Sequence, residues 1–336
     1  KIYLAIFSIF VGCSSNVCFR DHIFEGKTQE IIPSHKDYAN TVQVKYYGAG
    51  GFLIRKAGVA ILLAPFFSNR SVSKLLVQKL ESDTTTIDEQ FESLRIDGVE
   101  GILVGHAHYD HLMDVPYITR KYFLSQKKPI QIYGSQTMKN LISNSRNPKG
   151  IPDDNLVAVV GDSVSTSTHM SDYIYVGSAK RIRFRAIESM HAPHIGKFKF
   201  FCGEIPEPIE TMPKWVAGWK EGQTLAYIID FLDEHQNPIF RIHYQDAASD
   251  SCVSMPNDEL LKDKAVDLSI LCVASFKNVT DYPVAMLRKL KPKYAILAHW
   301  ENFFTAYEKN LTLETVEPVL GTNPCDFINA VKEASL

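Results

Sequence analysis

Four side chains that can bind a metal ion occur within six residues of this chain. Residues 106–111 spell His-Ala-His-Tyr-Asp-His, and imidazole and carboxylate are ligand types that zinc prefers in catalytic sites. So close a set cannot place every ligand on one ion without strain. It suits two adjacent ions, with His106 and His108 on one and Asp110 and His111 on the other.

The element that must position this segment is the apolar run 101–105, Gly-Ile-Leu-Val-Gly, directly before it. A short apolar run of this kind is typical of a buried strand, so we expect the ligands at a strand's carboxyl end. In a chain with 11 histidines, the pattern H-x-H-x-D-H arises by chance in roughly one chain in a thousand. The sequence therefore predicts a metal site rather than scattered surface histidines.

H-x-H-x-D-H after a strand resembles the signature of the metallo-β-lactamase fold superfamily of metal-dependent hydrolases. The resemblance implies an α/β fold, a four-layer αββα sandwich in which two mixed sheets pack face to face with helices outside. The predicted hydrolase domain spans 41–336 and contains an insertion at 197–222. The resemblance also implies three further ligands downstream, each at a strand end.

The first of these ligands is a histidine after the strand-like run 182–187. His191 best fits the position, because it lies closest to the end of that run. His194, three residues later, is expected to contact substrate instead. The alternative for either residue is a polar side chain in a surface loop.

The other two implied ligands follow later strands. Asp246 comes after the run 239–243 at the place of a carboxylate that bridges the two ions, and Asp250 is a weaker candidate further along the loop. His299 directly follows the run 294–298. Every expected ligand type thus occurs in the expected order.

The resemblance implies two divalent ions, with zinc favoured by the histidines and manganese or iron as alternatives. A hydroxide held between the ions would be the nucleophile, with Asp110 and Asp246 as the catalytic carboxylates. The implied arrangement places His106, His108 and His191 on one ion, places Asp110, His111 and His299 on the other, and lets Asp246 bridge them.

Ala64 departs from the superfamily pattern, in which the equivalent strand often ends in Asp-Pro. That aspartate normally supports the metal ligands, and losing such a partner can weaken metal binding or activity. Here the strand 59–64 ends in Ala64-Pro65. The substitution lends weight to an alternative function, a metal-binding surface lipoprotein with little catalysis.

Residues 64–68 together with His299-Trp300 most resemble the branch that holds L-ascorbate-6-phosphate lactonase and N-acyl-phosphatidylethanolamine phospholipase D. That branch implies hydrolysis of lactones and phosphodiesters. The aromatic insertion and the apolar N-terminus favour a phosphodiester, with a small-molecule or lipid-like substrate. A lactonase, or another ester or amide hydrolase at the same site, is the alternative enzyme.

The insertion 197–222 is rich in aromatic residues and proline. It contains Trp215 and Trp219, and the third tryptophan, Trp300, follows the predicted ligand His299. A long insertion beside a site is commonly a lid or a binding loop, so the three tryptophans are predicted to form an aromatic wall over the substrate. The alternative is that the insertion packs on itself.

The N-terminus predicts export. Lys1 precedes an apolar run to Gly12, which resembles a lipoprotein-type signal peptide over 1–12, with Cys13 lipidated and a linker over 13–40. The chain would then lie in a bacterial cell envelope and touch the membrane only through this anchor. The alternative is a buried first strand.

Composition limits the remaining choices. The net charge of −2 gives no basic footprint for nucleic acid. Glycines in 48–51 are expected in a turn between two strands, and 82–86 is expected to be a polar loop after a helix over 73–80.

Overall fold

The computed structural model of the protein describes residues 40–92, 96–159, 169–307 and 316–335. The predicted signal peptide 1–12, with its anchor at Cys13, and the linker 13–40 apart from Asn40 lie outside the described residues.

The described chain builds one six-stranded sheet and then a second. In the first sheet, strands neighbour each other in chain order, the first two pairings are antiparallel and the other three are parallel. Its strands are β1 (Val42–Gly48), β2 (Gly51–Lys56), β3 (Val59–Leu63), β4 (Val99–Leu103), β5 (Gln131–Gly134) and β6 (Leu156–Ala158).

The second sheet is also mixed and again follows chain order. Its first three pairings are antiparallel and its last two are parallel. Its strands are β7 (Ile174–Val176), β8 (Ile182–Ser189), β9 (Thr224–Leu232), β10 (Pro238–Gln245), β11 (Leu268–Cys272) and β12 (Tyr294–Ala298).

Eight α-helices occur in the described residues, seven of them between strands and the last after β12. They are α1 (Val72–Val77), α2 (Thr84–Glu92), α3 (Tyr109–Leu112), α4 (Val115–Tyr122), α5 (Gln136–Ile142), α6 (Asp258–Asp263), α7 (Val284–Leu290) and α8 (Pro324–Ala334).

The two sheets pack face to face through a predominantly apolar layer. Phe52 and Ile61 of the first sheet share a buried cluster with Phe184 and Ile229 of the second. Strand β9 is buried along all nine residues, as expected for a strand that is covered on both faces. This layer forms the core between the two sheets.

Helices cover the outer faces of both sheets. On the first sheet, Ile102 and Ile132 share a cluster with Ile118 of α4 and Met138 of α5. On the second sheet, the helices α6, α7 and α8 contribute Leu260, Met286 and Phe327 to two further clusters. The αββα sandwich expected from the sequence is therefore confirmed.

Two local predictions differ from the structure. The predicted polar loop 82–86 is wrong in its second half, because α2 begins at Thr84. Asp83 starts this helix, since its carboxylate accepts a hydrogen bond from Thr86 N at 3.1 Å, as N-capping residues do. Within 197–222, all of which the structure describes, the only helix or named strand is a 3₁₀ turn, Val216–Gly218.

No helix among the described residues combines the length and the apolar character that crossing a bilayer requires.

His243 on β10 is a buried histidine away from the predicted ligands. Its Nδ1 lies 2.9 Å from Ser269 Oγ, while its Nε2 has no partner in the described chain. Burial lowers the pKa of His243 to about 3, against about 6.5 in an unfolded chain. The unfolded chain therefore binds a proton that the folded chain does not, and stability is lost as the pH falls from 6.5 towards 3.

We predict that His243→Gln removes this part of the acid sensitivity. Between about pH 6 and pH 4, the free energy of unfolding of the metal-free variant should fall by about 1.4 kcal/mol less per pH unit than that of the parent. Urea denaturation in the presence of a chelator measures both slopes. His235→Gln, at an exposed position, is the control, and equal slopes for His243→Gln and the parent would contradict the assignment.

Candidate metal centre

All seven predicted ligands lie together at the ends of four strands. Those of residues 106–111 follow β4 in the first sheet, and His191, Asp246 and His299 follow β8, β10 and β12 in the second. The candidate ligand atoms form three groups, and within each group they lie within 4.8 Å of one another. The groups are His106, His108 and His191; Asp110, His111 and His299; and His106, His111 and Asp246.

Several imidazole nitrogens at this site are buried without a partner. The Nε2 atoms of His106, His108 and His111 and the Nδ1 atom of His299 make no hydrogen bond to the described chain. Buried polar atoms without partners are rare, because such atoms lose their hydrogen bonds to water and gain none within the protein. His191 Nδ1 lies 2.7 Å from the Ala192 carbonyl, so it carries the proton and leaves Nε2 free to bind a metal. The donor set therefore fits divalent ions.

The Asp246 carboxylate connects the two sets of ligands. Its Oδ2 lies 2.7 Å from His106 Nδ1 and its Oδ1 lies 2.9 Å from His111 Nδ1. Each contact fixes an imidazole with its Nδ1–H towards the carboxylate and its Nε2 directed away. The prediction placed Asp246 on both ions directly. In this structure it contacts one histidine of each set and belongs to the third ligand group, and its bridging of two ions stays a prediction.

Two glycines make room for this carboxylate. A Cβ atom on Gly105 would lie 2.3 Å from Asp246 Cβ, and a Cβ on Gly50 would lie 2.6 Å from Asp246 Oδ1 and 2.7 Å from His111 Nδ1. Gly50 does lie between β1 and β2, as the turn prediction required. Its second role, a close approach of backbone to the site, was not apparent from the sequence.

Tyr244 completes the surroundings of Asp246. Its hydroxyl lies 2.8 Å from the Gly50 carbonyl oxygen and contacts Asp246 Oδ1. The tyrosine side chain belongs to the layer between the two sheets. The orientation of Asp246 is therefore set by the packed core, through a residue that no sequence pattern singled out.

The metal-binding segment is also held from the second sheet. Leu225 N donates to the Gly105 carbonyl at 2.7 Å, and the Tyr227 hydroxyl donates to the Val104 carbonyl at 2.8 Å. Ala107 N donates to the Glu221 carbonyl at 2.8 Å. These bonds fix the backbone of residues 104–107 against β9 and the end of the insertion.

His299 is positioned by its own backbone conformation. Its φ of +56° lies in the left-handed region, which non-glycine residues adopt rarely and often at functional sites. Its N–H donates to the Tyr46 hydroxyl at 2.8 Å, and Tyr46 donates to the buried Glu301 carboxylate. Glu301 also accepts from Ala49 N at 2.5 Å, so the β1–β2 turn and the His299 loop are tied together.

The electrostatics favour ligands in their metal-binding forms. Burial, together with neighbouring histidines, lowers the pKa of His106, His108 and His191. Burial alone would raise the pKa of Asp110 and Asp246, but the histidines around them, His111 first, hold both pKa values well below the usual range. Neutral imidazoles and ionised carboxylates bind a cation without first losing protons.

His111 behaves differently from the other histidines. Burial opposes its charge, yet the carboxylates of Asp246 and Asp110 outweigh this effect and raise the pKa of His111. A cation that binds at this position must therefore displace a proton from His111, which makes binding stronger as the pH rises.

Ala64 is fully buried, with its N–H donating to the Leu103 carbonyl at 2.9 Å. The loop that follows is anchored by a different carboxylate, Asp114. Its oxygens accept from Phe67 N at 2.8 Å, Ser68 N at 3.0 Å and Ser68 Oγ at 2.7 Å. Asp114 follows the metal-binding helix α3 closely, so the loop after Ala64 is held against the site without an aspartate at position 64.

The rim of the site is formed by His194 and the start of the insertion. The imidazoles of His194 and His191 stack with their centroids 4.6 Å apart. The Phe201 ring lies 6.3 Å from His108, and Phe200 lies 5.6 Å from His194. His194 is thus where a substrate contact was predicted, and the two phenylalanines are aromatic neighbours that the tryptophan prediction overlooked.

The three tryptophans do not share one environment. Trp219 is 1% exposed in the core beneath the first sheet, and its Nε1–H donates to the Pro213 carbonyl at 3.1 Å. It offers no surface to a substrate, so this part of the aromatic wall is wrong. Trp215 is half-exposed, and Trp300 packs against the cluster that contains Phe276 and Phe327. Their predicted substrate contacts stay predictions.

Comparison with known proteins gives structural likenesses only. No family model and no curated protein matches the sequence. Igni18, a metallo hydrolase from the archaeon Ignicoccus hospitalis, is 13% identical over 88% of this chain and 91% of its own, with a TM-score of 0.48.

Two further solved structures are similar. The metallo-β-lactamase fold protein YhfI from Bacillus subtilis is 10% identical over 77% of this chain and 86% of its own, with a TM-score of 0.41. The short form of human tRNase Z is 14% identical over 77% of this chain and 89% of its own, with a TM-score of 0.44.

Several other similar structures are named as metal-dependent or zinc-dependent hydrolases. The branch with the lactonase and the phospholipase D is not supported by these matches and stays a prediction.

We predict that the two ligand sets can be emptied separately. With about two zinc ions bound per parent chain, His191→Ala and His299→Ala should each retain about one, because each variant disrupts only one set. Metal analysis after gel filtration measures the content. His169→Ala, an exposed histidine outside the site, should retain both ions, and loss of both ions from either test variant would contradict two separable sets.

We also predict that Tyr244→Phe weakens metal binding by about 10- to 100-fold, since Asp246 loses a hydrogen-bond donor that orients it. Competition with a chelating dye measures the affinity. Tyr282→Phe is the matched control, because its hydroxyl is equally buried and donates to the Cys272 carbonyl at 2.9 Å. Both variants should lose about 1 kcal/mol of stability, and equal metal affinities would refute the role of Tyr244.

Proposed function

We propose that this protein is a metal-dependent hydrolase with a dinuclear centre that cleaves phosphodiesters. The observation that carries the proposal is the set of buried nitrogens without a hydrogen bond on His106, His108 and His111, which lie among two ionised carboxylates. Within the described residues no hydrogen bond satisfies these nitrogens. Cations would satisfy them, and strand-end clusters of this kind are common sites of catalysis.

The proposal assigns one ion to His106, His108 and His191 and the other to Asp110, His111 and His299, with Asp246 between the sets. Two zinc ions there would supply a nucleophilic water at neutral pH, polarise a phosphoryl oxygen and carry more positive charge than the carboxylates neutralise.

His194 is suited to donate a hydrogen bond to the substrate. Phe200 N donates to its Nδ1 at 3.2 Å, so the proton of the neutral ring lies on Nε2. Burial, aided by His106 and Lys199 and opposed by Asp110 and Glu221, lowers the pKa of His194. The imidazole is therefore neutral at pH 7 with a donor available for a phosphoryl or leaving-group oxygen.

The rim also holds an ion pair. The Lys199 ammonium lies 2.8 Å from Glu221 Oε1 and near enough to His194 to affect its pKa. Glu221 also accepts from Thr224 Oγ1 at 2.9 Å, which fixes the carboxylate that holds the lysine. Because this pair is neutral, the positive charge that would attract a phosphodiester comes from the two ions, and a neutral ester or lactone would lack this attraction.

We predict that the zinc-loaded protein hydrolyses a chromogenic phosphodiester faster than a chromogenic lactone. His194→Ala should lower kcat by about 100-fold, the usual effect of losing a hydrogen-bond donor to a group that gains charge in the transition state. His235→Ala, at an exposed histidine between β9 and β10, is the matched control and should leave kcat unchanged.

His106→Ala should abolish turnover of both substrates, because the variant lacks a ligand. Turnover of the lactone alone would contradict the phosphodiesterase function and support the alternative, a lactonase. No turnover of either substrate by a chain that holds both ions would contradict a hydrolytic function and favour a metal-binding protein, the role that Ala64 suggested.

A further inference from the structure

A small exposed apolar patch borders the candidate metal centre. Ile195 and Phe198 form an antiparallel bridge across the turn Gly196-Lys197, and they are 66% and 72% exposed. Residues paired in this way point to the same face of a hairpin. Their side chains therefore form one surface, and the half-exposed Phe200 follows two residues later.

Lys197 supplies the positive charge of this patch. Residues 189–203 contain no aspartate or glutamate, but the other lysine, Lys199, pairs with Glu221 at 2.8 Å, and Glu188 and Glu204 flank the segment. Lys197 lies at the exposed tip of the hairpin and forms no ion pair within the described chain. A cation between exposed apolar side chains is the arrangement with which proteins bind anionic lipid surfaces.

The hairpin is held firmly beside the metal ligands. Its first residue, His194, stacks on His191 and donates its backbone N–H to the Phe198 carbonyl at 2.8 Å. At its other end, the Phe201 carbonyl accepts from Glu221 N at 3.0 Å. A surface that bound this hairpin would therefore lie next to the rim of the site.

We propose that the hairpin docks on an anionic phospholipid surface. Ile195 and Phe198 enter the boundary between headgroups and acyl chains, and Lys197 faces the acidic headgroups. This inference rests on the proposed function, since it makes a phosphodiester within or on the lipid surface the substrate class. It adds a second membrane contact to the N-terminal anchor expected from the sequence.

The size of the patch favours lipid over a protein partner. Two or three side chains on one hairpin bury far less area than the roughly 1,000 Å² that a stable protein interface needs. Shallow insertion into a bilayer requires only a few apolar side chains with cations beside them.

The test uses the full chain with Trp in place of Phe198 and vesicles of brominated phosphatidylcholine, with and without phosphatidylglycerol. Insertion should quench the fluorescence of Phe198→Trp more than that of the parent, and phosphatidylglycerol should increase the difference. Leu76→Trp, at an exposed position on α1, is the matched control. Quenching of Phe198→Trp no greater than that of the control would overturn the proposal.

A second arm separates docking from catalysis. Phe198→Asp should lower hydrolysis of a vesicle-borne phosphodiester by about tenfold and leave hydrolysis of a soluble one unchanged. A parent that cleaves neither substrate but still shows the quenching would refute the proposed function and leave the docking intact. A parent that dimerises through this face in vesicle-free sedimentation, with Phe198→Asp monomeric, would overturn the lipid proposal.

Discussion

The rest of the structure depends on one buried carboxylate, that of Asp246. At 1% exposure, a charged carboxylate without partners would cost several kcal/mol. It is stable here because imidazoles of His106 and His111 and the Tyr244 hydroxyl surround it. These partners come from both sheets, so the interaction that orients the ligands also joins the two halves of the sandwich.

This constraint explains features that look unrelated in the sequence. Gly105 lacks a side chain because Asp246 occupies the space, and Gly50 lacks one because Asp246, His111 and Tyr244 converge there. The left-handed conformation of His299 is compensated by its bond to Tyr46. The two glycines and the left-handed histidine all lie at the candidate metal centre, and backbone strain is commonly tolerated at functional sites.

The cluster 106–111 could be predicted because its signal is local. The three later ligands were expected from the family resemblance that this cluster carries, and the sandwich brings the strand ends that hold them together. The supporting residues could not be predicted in this way. Gly50 and Tyr244 are 194 residues apart and Ala49 and Glu301 are 252 apart, and a single sequence does not pair such distant residues.

Other errors have equally physical causes. The three threonines of 84–86 have low helix propensity, and only the capping aspartate Asp83 signalled that α2 begins there. The aromatic content of the insertion led to the prediction that Trp219 contacts the substrate. It did not reveal that this side chain packs in the core. Composition therefore indicated that the insertion lies beside the site. The packed structure shows that Phe201 and His194 form the rim of that site.

The most direct test of the account is anomalous diffraction at the zinc edge from crystals of the zinc-loaded chain. The account predicts two peaks, one about 2.0–2.1 Å from nitrogens of His106, His108 and His191, and the other at similar distances from Asp110, His111 and His299. Asp246 should lie between the two peaks. A single peak, or peaks bound by other residues, would contradict the paired ligand sets on which the proposed chemistry depends.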